Sequence, residues 1–159
     1  MRAILLLAAM AMVAVPACGQ DRARREEARE AVDRFLRAFE NLDMRRFIDC
    51  FAEDATVFFP EPEPAKRFDG KAAIKAHFEL VFAAIRRGSA SSQPPFHRLV
   101  PENVDIQPVG DESAVVSFEL SNAVRIARRT VVLQKRGDSW LIVHLHASND
   151  PVKEPSPVP

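Results

Sequence analysis

Trp140-Leu-Ile-Val-His-Leu-His-Ala-Ser148 lies near the C-terminus of this 159-residue chain and is continuous, rich in β-formers and alternating. Side chains at i and i+2 share a face of a strand. Strict alternation therefore places Trp140, Ile142, His144, His146 and Ser148 on one side, and Leu141, Val143, Leu145 and Ala147 on the other. One face is apolar and fits a core or a pocket. The other carries two imidazoles and a hydroxyl, and fits a polar surface or a subunit contact.

Working outward, Gly137-Asp138 marks a hairpin turn that joins this strand to one predicted over Arg129–Lys135. Two more strands are expected before it, Ser113 to about Arg125, and Phe96 to Gln107 with a bend near Pro101. The N-terminal half reads differently. Ala28, Val32, Phe35, Leu36 and Phe39 follow helical spacing, with charged residues opposite. Asp43 is placed to cap a second helix from Met44 to about Ala52. Ala55–Phe59 predicts a strand, Pro60, Pro62 and Pro64 an extended loop, and Asp69-Gly70 a turn into a third helix over Lys71–Arg87. Gly88–Pro95 is a connector. Helix, helix, strand, helix and then four antiparallel strands define an α+β domain, with three N-terminal helices on one face of a curved, mostly antiparallel sheet.

Composition narrows the function. The 22 basic and 22 acidic residues balance, so there is no basic field for nucleic acid. Phe is abundant at 11 and Tyr is absent, which removes every phenol as an acid or oxyanion donor. No Gly-rich phosphate loop or serine nucleophile elbow is present. The length suits one domain, expected over residues 28–149. Residues 1–17 read as a signal peptide, with Arg2 followed by an apolar run from Ala3 to Val15. Val15-Pro16-Ala17-Cys18 resembles the lipobox of bacterial lipoproteins, which implies lipidation of Cys18; a plain secretory leader is the alternative. On either reading the protein is exported to the cell envelope, periplasm or exterior, and a lipid on Cys18 is its sole link to a membrane. Residues 18–27 are expected to be a tether or frayed helix start, and the Pro-rich 150–159 a disordered tail. Cys50, in an apolar segment, fits a small buried hydrophobe better than a reactive thiol.

Four motifs carry a resemblance. Leu42-Asp43, Phe51-Ala-Glu-Asp-Ala-Thr-Val57, Phe68-Asp-Gly-Lys-Ala-Ala-Ile74 and Gly137–Ser148 together resemble the SnoaL-like domains of the nuclear transport factor 2-like superfamily. The last motif is also similar to the closing strand of the kinase association domain. The resemblance implies a cone, a bent sheet wrapped around helices and enclosing a pocket, with dimerisation through the sheet's outer face. Such folds host isomerases, dehydratases, cyclases, binding modules and assembly hubs, so the fold does not choose among them. Ketosteroid isomerase, a relative, uses an Asp base before a proline and a Tyr donor. The residues here at those positions are Phe59, before Pro60, and Phe35. A phenyl ring neither accepts nor donates a proton. The basic residues that hold carboxylates in the association-domain pocket correspond to Leu120, Val131 and Ala147.

The expected ligand-binding set is accordingly apolar: Phe35, Phe39, Phe59, Phe78, Phe82, Phe118, Leu120, Val131, Val143, Leu145 and Ala147. The same phenylalanines also read as plain core. His97, opening a strand, and His77, beside an apolar helix face, are candidate general bases or structural residues. His144 and His146 are candidate zinc ligands with Glu119 as a third, or hydrogen-bonding residues in a dimer contact. Arg125, Arg128 and Arg129 read as a solvated hairpin end. The sequence thus favours a domain, with no cofactor, that binds a small apolar molecule without catalysis. An isomerase, dehydratase or cyclase using a pocket histidine, and a dimerisation or assembly module, are the alternatives.

Overall fold

The structure is a computed structural model and describes residues 17–60, 66–122 and 125–151. Residues 1–16, the Cys18 side chain, residues 61–65 and the stretch from residue 152 lie outside that description, so the expected leader, lipidation, the loop through Pro62 and Pro64 and most of the expected tail are not addressed by it.

Chain order is α1 (Ala17–Glu40), α2 (Met44–Asp49), β1 (Phe51–Phe59), β2 (Lys66–Asp69), α3 (Lys71–Gly88), β3 (Glu102–Val109), β4 (Ser113–Glu119), β5 (Arg125–Arg136) and β6 (Ser139–Pro151). The strands form one sheet in the order β2-β1-β6-β5-β4-β3. Every pairing is antiparallel except β1 with β6, which brings the first long strand beside the last. The α+β expectation holds, with β2 added as a short edge strand that four residues were too few to signal.

Several boundaries differ from the expectation. Helix α1 begins at Ala17, so residues 18–27 are an ordered helix rather than a tether. They dock on the sheet: Arg25 donates to the Ile106 carbonyl, and the Trp140 indole donates to Glu27 at 2.7 Å. That indole bond, reinforced by Lys135, holds the Glu27 carboxyl below the usual glutamate range. The segment Phe96–Pro101 is loop, and β3 starts only at Glu102. β6 runs on through Asp150 and Pro151, which the expected tail had included.

The cap at Asp43 is as expected, its carboxylate accepting the Arg46 amide at 3.1 Å. Gly137 takes φ +61 at the first central position of the β5–β6 turn, as a type II′ hairpin requires.

The decisive departure is inside β6. Val132 pairs with His144 and Leu133 with Ile142, so Val143 is an extra, bulged residue. A one-residue bulge swaps the faces of everything beyond it. Trp140 and Ile142 are therefore buried on the same side as Leu145 and Ala147, and not with the histidines. The strict alternation read from the sequence is corrected here.

The inner face of the sheet packs against the helices. From α1 it receives Ala28, Val32, Phe35 and Leu36, and from α3 Ile74, Phe78 and Phe82. At the centre of the helical layer Phe47 of α2 meets five rings: Phe78 at 4.6 Å, Phe82 at 5.1 Å, Phe51 at 5.2 Å, Phe35 at 5.3 Å and Phe39 at 6.0 Å between centroids. This cluster fills one end of the space between helices and sheet. The other end stays open.

Candidate functional site

The open end is a cavity of about 190 Å³. Its walls come from α1 (Phe35, Phe39), β1 (Phe59), α3 (Phe78), β4 (Phe118), Leu120 just after β4, and β6 (Leu145). One cavity walled by β1, β6, β5 and β4 together requires a concave sheet. The volume is modestly above the roughly 150 Å³ apolar cavity that takes up benzene, and below the about 300–1,000 Å³ of drug-sized sites. A single ring or a short chain is the scale of occupant that fits.

Four members of the expected apolar set are not in the wall. Phe82 packs on Phe39 and Phe47 in the filled end. Val131 and Ala147 are buried on the inner face without reaching the cavity, and Val143 is the bulge residue. The two positions matched to the isomerase acid and base, Phe35 and Phe59, are both in the wall, as phenyl groups.

The rim was missed. Asn122, Arg125, Arg129 and Asn149 line the cavity mouth together with His97. The arginines were read as a solvated hairpin end, but β5 alternates so that Arg125, Ala127 and Arg129 share the inner face with Val131 and Leu133. Only Arg128 points outward, pairing with Glu119 and Asp150. The period-2 rule applied from Arg125 onward carries this signal; it is hidden when the previous strand is expected to run to about Arg125, past its actual end at Glu119, and the next to start only at Arg129.

The rim is held by backbone and amide contacts. Arg129 Nη1 donates to the carbonyls of Arg128 at 2.8 Å and Ser148 at 3.0 Å, and the guanidinium lies 6.0 Å from the centroid of the Phe59 ring. The Asn149 carboxamide is satisfied when its nitrogen donates to the Ser148 carbonyl at 3.0 Å and its oxygen accepts from Arg125 at 3.2 Å. Asn122 accepts the Arg125 amide at 2.9 Å across the β4–β5 turn. None of the described lining residues is a carboxylate.

His97 is on the loop after α3 instead of a strand. Glu40, at the end of α1, holds that loop: its carbonyl accepts the Phe96 amide at 2.9 Å and its carboxylate accepts the Leu99 amide at 2.7 Å. The imidazole lies 6.5 Å from Phe39 between centroids, at an exposed position on the rim. His77 does not reach the cavity. It is stacked on Phe68 at 4.1 Å with Phe59 and Phe78 edge-on, and burial pushes its pKa below the ordinary value. It is a core residue and no base for the pocket.

His144 and His146 project from the outer face, where His144 Nδ1 bonds the Thr56 hydroxyl at 2.7 Å and both rings flank Phe58. Burial, the neighbouring His146 and Arg67 lower the His144 pKa. The suggested third ligand, Glu119, is level with Arg128 and Ser148 two strands away, roughly 10 Å across the sheet. Glu119 is occupied by Asn103 at 2.8 Å and by Arg128. The three cannot converge on one ion, so the zinc reading is not supported.

A second, wider groove of about 500 Å³ lies outside the cone beside α1, α2 and the β5–β6 turn, with Arg34, Arg37, Arg46, Asp43 and Asp49 in its walls. It is open to solvent and of mixed charge, and Arg46 pairs with Asp43. Cys50 borders it with its S–H on the Arg46 carbonyl at 3.3 Å and its pKa raised by burial, which disfavours the reactive thiolate.

Residues 28–152 match the family model of the SnoaL-like domain, and the chain belongs to that family. A nuclear transport factor 2-like protein of unknown function from Pseudomonas putida KT2440 is 21% identical, with 80% of this chain and 87% of that one covered at a TM-score of 0.63. A candidate dehydratase of the nuclear transport factor 2-like family from Streptomyces avermitilis is 16% identical, with 84% and 99% covered at 0.66. A candidate calcium/calmodulin-dependent protein kinase II association domain from Xanthomonas campestris is 22% identical, with 92% and 99% covered at 0.61. At such identities these likenesses speak for the fold alone. Among curated proteins none matches significantly.

Proposed function

We propose that this SnoaL-like domain binds a small molecule with an apolar body and does not transform it. The carrying observation is the cavity wall, where phenyl groups, Phe35 and Phe59, stand at the two positions whose relatives keep a proton donor and a base. The ligand is limited to a single ring or a short chain by the cavity of about 190 Å³. A cavity-filling variant tests this. A panel of single-ring and short-chain compounds is expected to raise the Tm of the parent protein, and Leu120→Trp is expected to abolish the shifts while remaining folded. A parent that responds to no compound, or a variant that responds equally, refutes the reading.

One observation favours an isomerase- or dehydratase-type enzyme as a second reading, namely the position of the His97 imidazole on the cavity rim. On that reading a bound ligand is consumed, and His97→Gln stops its consumption without abolishing its binding.

Export, lipid attachment through Cys18 and pairing of two copies through the outer sheet face complete the proposal. The exposed Phe58 ring between two histidines supports such a contact. Native mass spectrometry of protein taken from its own envelope reads lipid mass, subunit count and retained ligand together.

A further inference from the structure

We infer that the ligand of this cavity is a monocyclic phenol, its ring among the phenylalanines and its hydroxyl bonded to the His97 imidazole. The inference rests on the binding reading above and names the chemical class of the ligand.

The wall selects an aromatic ring. Phe35, Phe39, Phe59, Phe78 and Phe118 all line the cavity. Phe39 and Phe59 both stand edge to face on Phe78, at 82° with centroids 6.3 Å apart and at 68° with centroids 5.2 Å apart. A planar ring placed among them extends that arrangement, pairing electron-poor edges with electron-rich faces, whereas a saturated ring gains only from burial. Size limits the substituent. The cavity of about 190 Å³ exceeds the roughly 150 Å³ that takes benzene by about 40 Å³, room for one or two more heavy atoms. A hydroxyl needs one such atom, and a carboxyl or carboxamide group needs three.

The mouth selects the hydroxyl. Arg129 is held on the carbonyls of Arg128 and Ser148, Asn149 on the Ser148 carbonyl and Arg125, and Asn122 on the Arg125 amide. The His97 imidazole has an edge contact with Phe39 and no hydrogen bond among the described residues. Neutral imidazole carries one N–H donor and one acceptor nitrogen, and a phenol hydroxyl pairs with either. The backbone beneath the imidazole is preset. The Glu40 carbonyl accepts the amides of Phe96 at 2.9 Å and His97 at 3.3 Å, and the Ser89 hydroxyl donates to the Phe96 carbonyl at 2.9 Å. The Arg86 guanidinium lies 4.9 Å from the centroid of the Phe96 ring. Fixing this loop before the ligand arrives lowers the entropy lost on binding.

The test separates the ring from the hydroxyl. Phenol, toluene and cyclohexanol are titrated by NMR into the full chain and its His97→Ala variant. Toluene has the shape of phenol without the hydroxyl, and cyclohexanol keeps the hydroxyl without the aromatic ring. Phenol is expected to bind the parent about fivefold more tightly than cyclohexanol, the scale of an aromatic pairing. His97→Ala is expected to weaken phenol about fivefold, as loss of one neutral hydrogen bond does, and to leave toluene unchanged. The toluene titration also reports that the variant still has a formed cavity. Phenol and toluene falling equally in the variant, or neither falling, would overturn the inference and leave the binding reading standing. So would cyclohexanol binding as tightly as phenol, or a parent that takes toluene and not phenol. Binding of none of the three by the parent would overturn both.

Discussion

His77 shows what one side chain does in this core. It enters α3 on a face otherwise occupied by Ile74, Phe78 and Phe82, and is 8% exposed with its Nε2 buried and unpartnered among the described residues. Burial disfavours the imidazolium, so the folded-state pKa lies below the unfolded one. As pH falls through about 6.5 the unfolded chain takes up the proton first, and stability declines until the folded-state value is passed. Above that window the imidazole is neutral in both states and contributes no pH dependence. Because Phe68 already stacks on this ring, His77→Phe is expected to keep the packing, stabilise the fold by on the order of 1 kcal/mol at pH 8, and by more at pH 5. Urea unfolding at the two pH values checks this. A parent–variant difference that does not grow at pH 5 would contradict it. His144 shares the direction of shift, so the difference between the two proteins is the quantity to follow.

At the scale of elements, the bulge in β6 and the clasp at Glu40 make the site. Val143 lets Trp140 and Ile142 face the core together with Leu145 and Ala147. Deleting Val143 restores an unbroken ladder but turns one pair of these residues outward. Each lost burial is about 1.5–3 kcal/mol, a large part of the 5–15 kcal/mol typical of a domain. The deletion is therefore expected to leave the protein unfolded or close to it, while Val143→Ala stays folded, as judged by near-ultraviolet circular dichroism at Trp140. Glu40 ties the loop after α3 to the end of α1. Glu40→Ala is expected to speed hydrogen exchange at the Leu99 amide by about tenfold or more, with β5 and β6 unchanged. The helices and the last hairpin were legible because their periodicity or turn chemistry is local. The bulge was not, since it is specified by a partner strand rather than by the alternating residues themselves.

For the whole molecule, the phenylalanines divide between a filled end and a hollow one. Phe47 is fully buried among five rings, whereas Phe59 faces the cavity and is only partly buried. Phe47→Ala is expected to destabilise the fold by about 3–5 kcal/mol and Phe59→Ala by about half of that, because a wall residue leaves less new void behind. Denaturant titration gives both values, and equal losses would mean that the two ends are packed alike.

The residues alone determined the α+β class, the order of the principal helices and strands, the family and the largely apolar wall of the cavity. These follow from spacing, capping and composition, which act over a few neighbouring positions. Tertiary structure decided which phenylalanines line the hollow, that His97 reaches the rim while His77 does not, and that Arg125 and Arg129 turn inward. Those outcomes depend on register between strands distant in sequence, where a single bulged residue exchanges the two faces of the sheet.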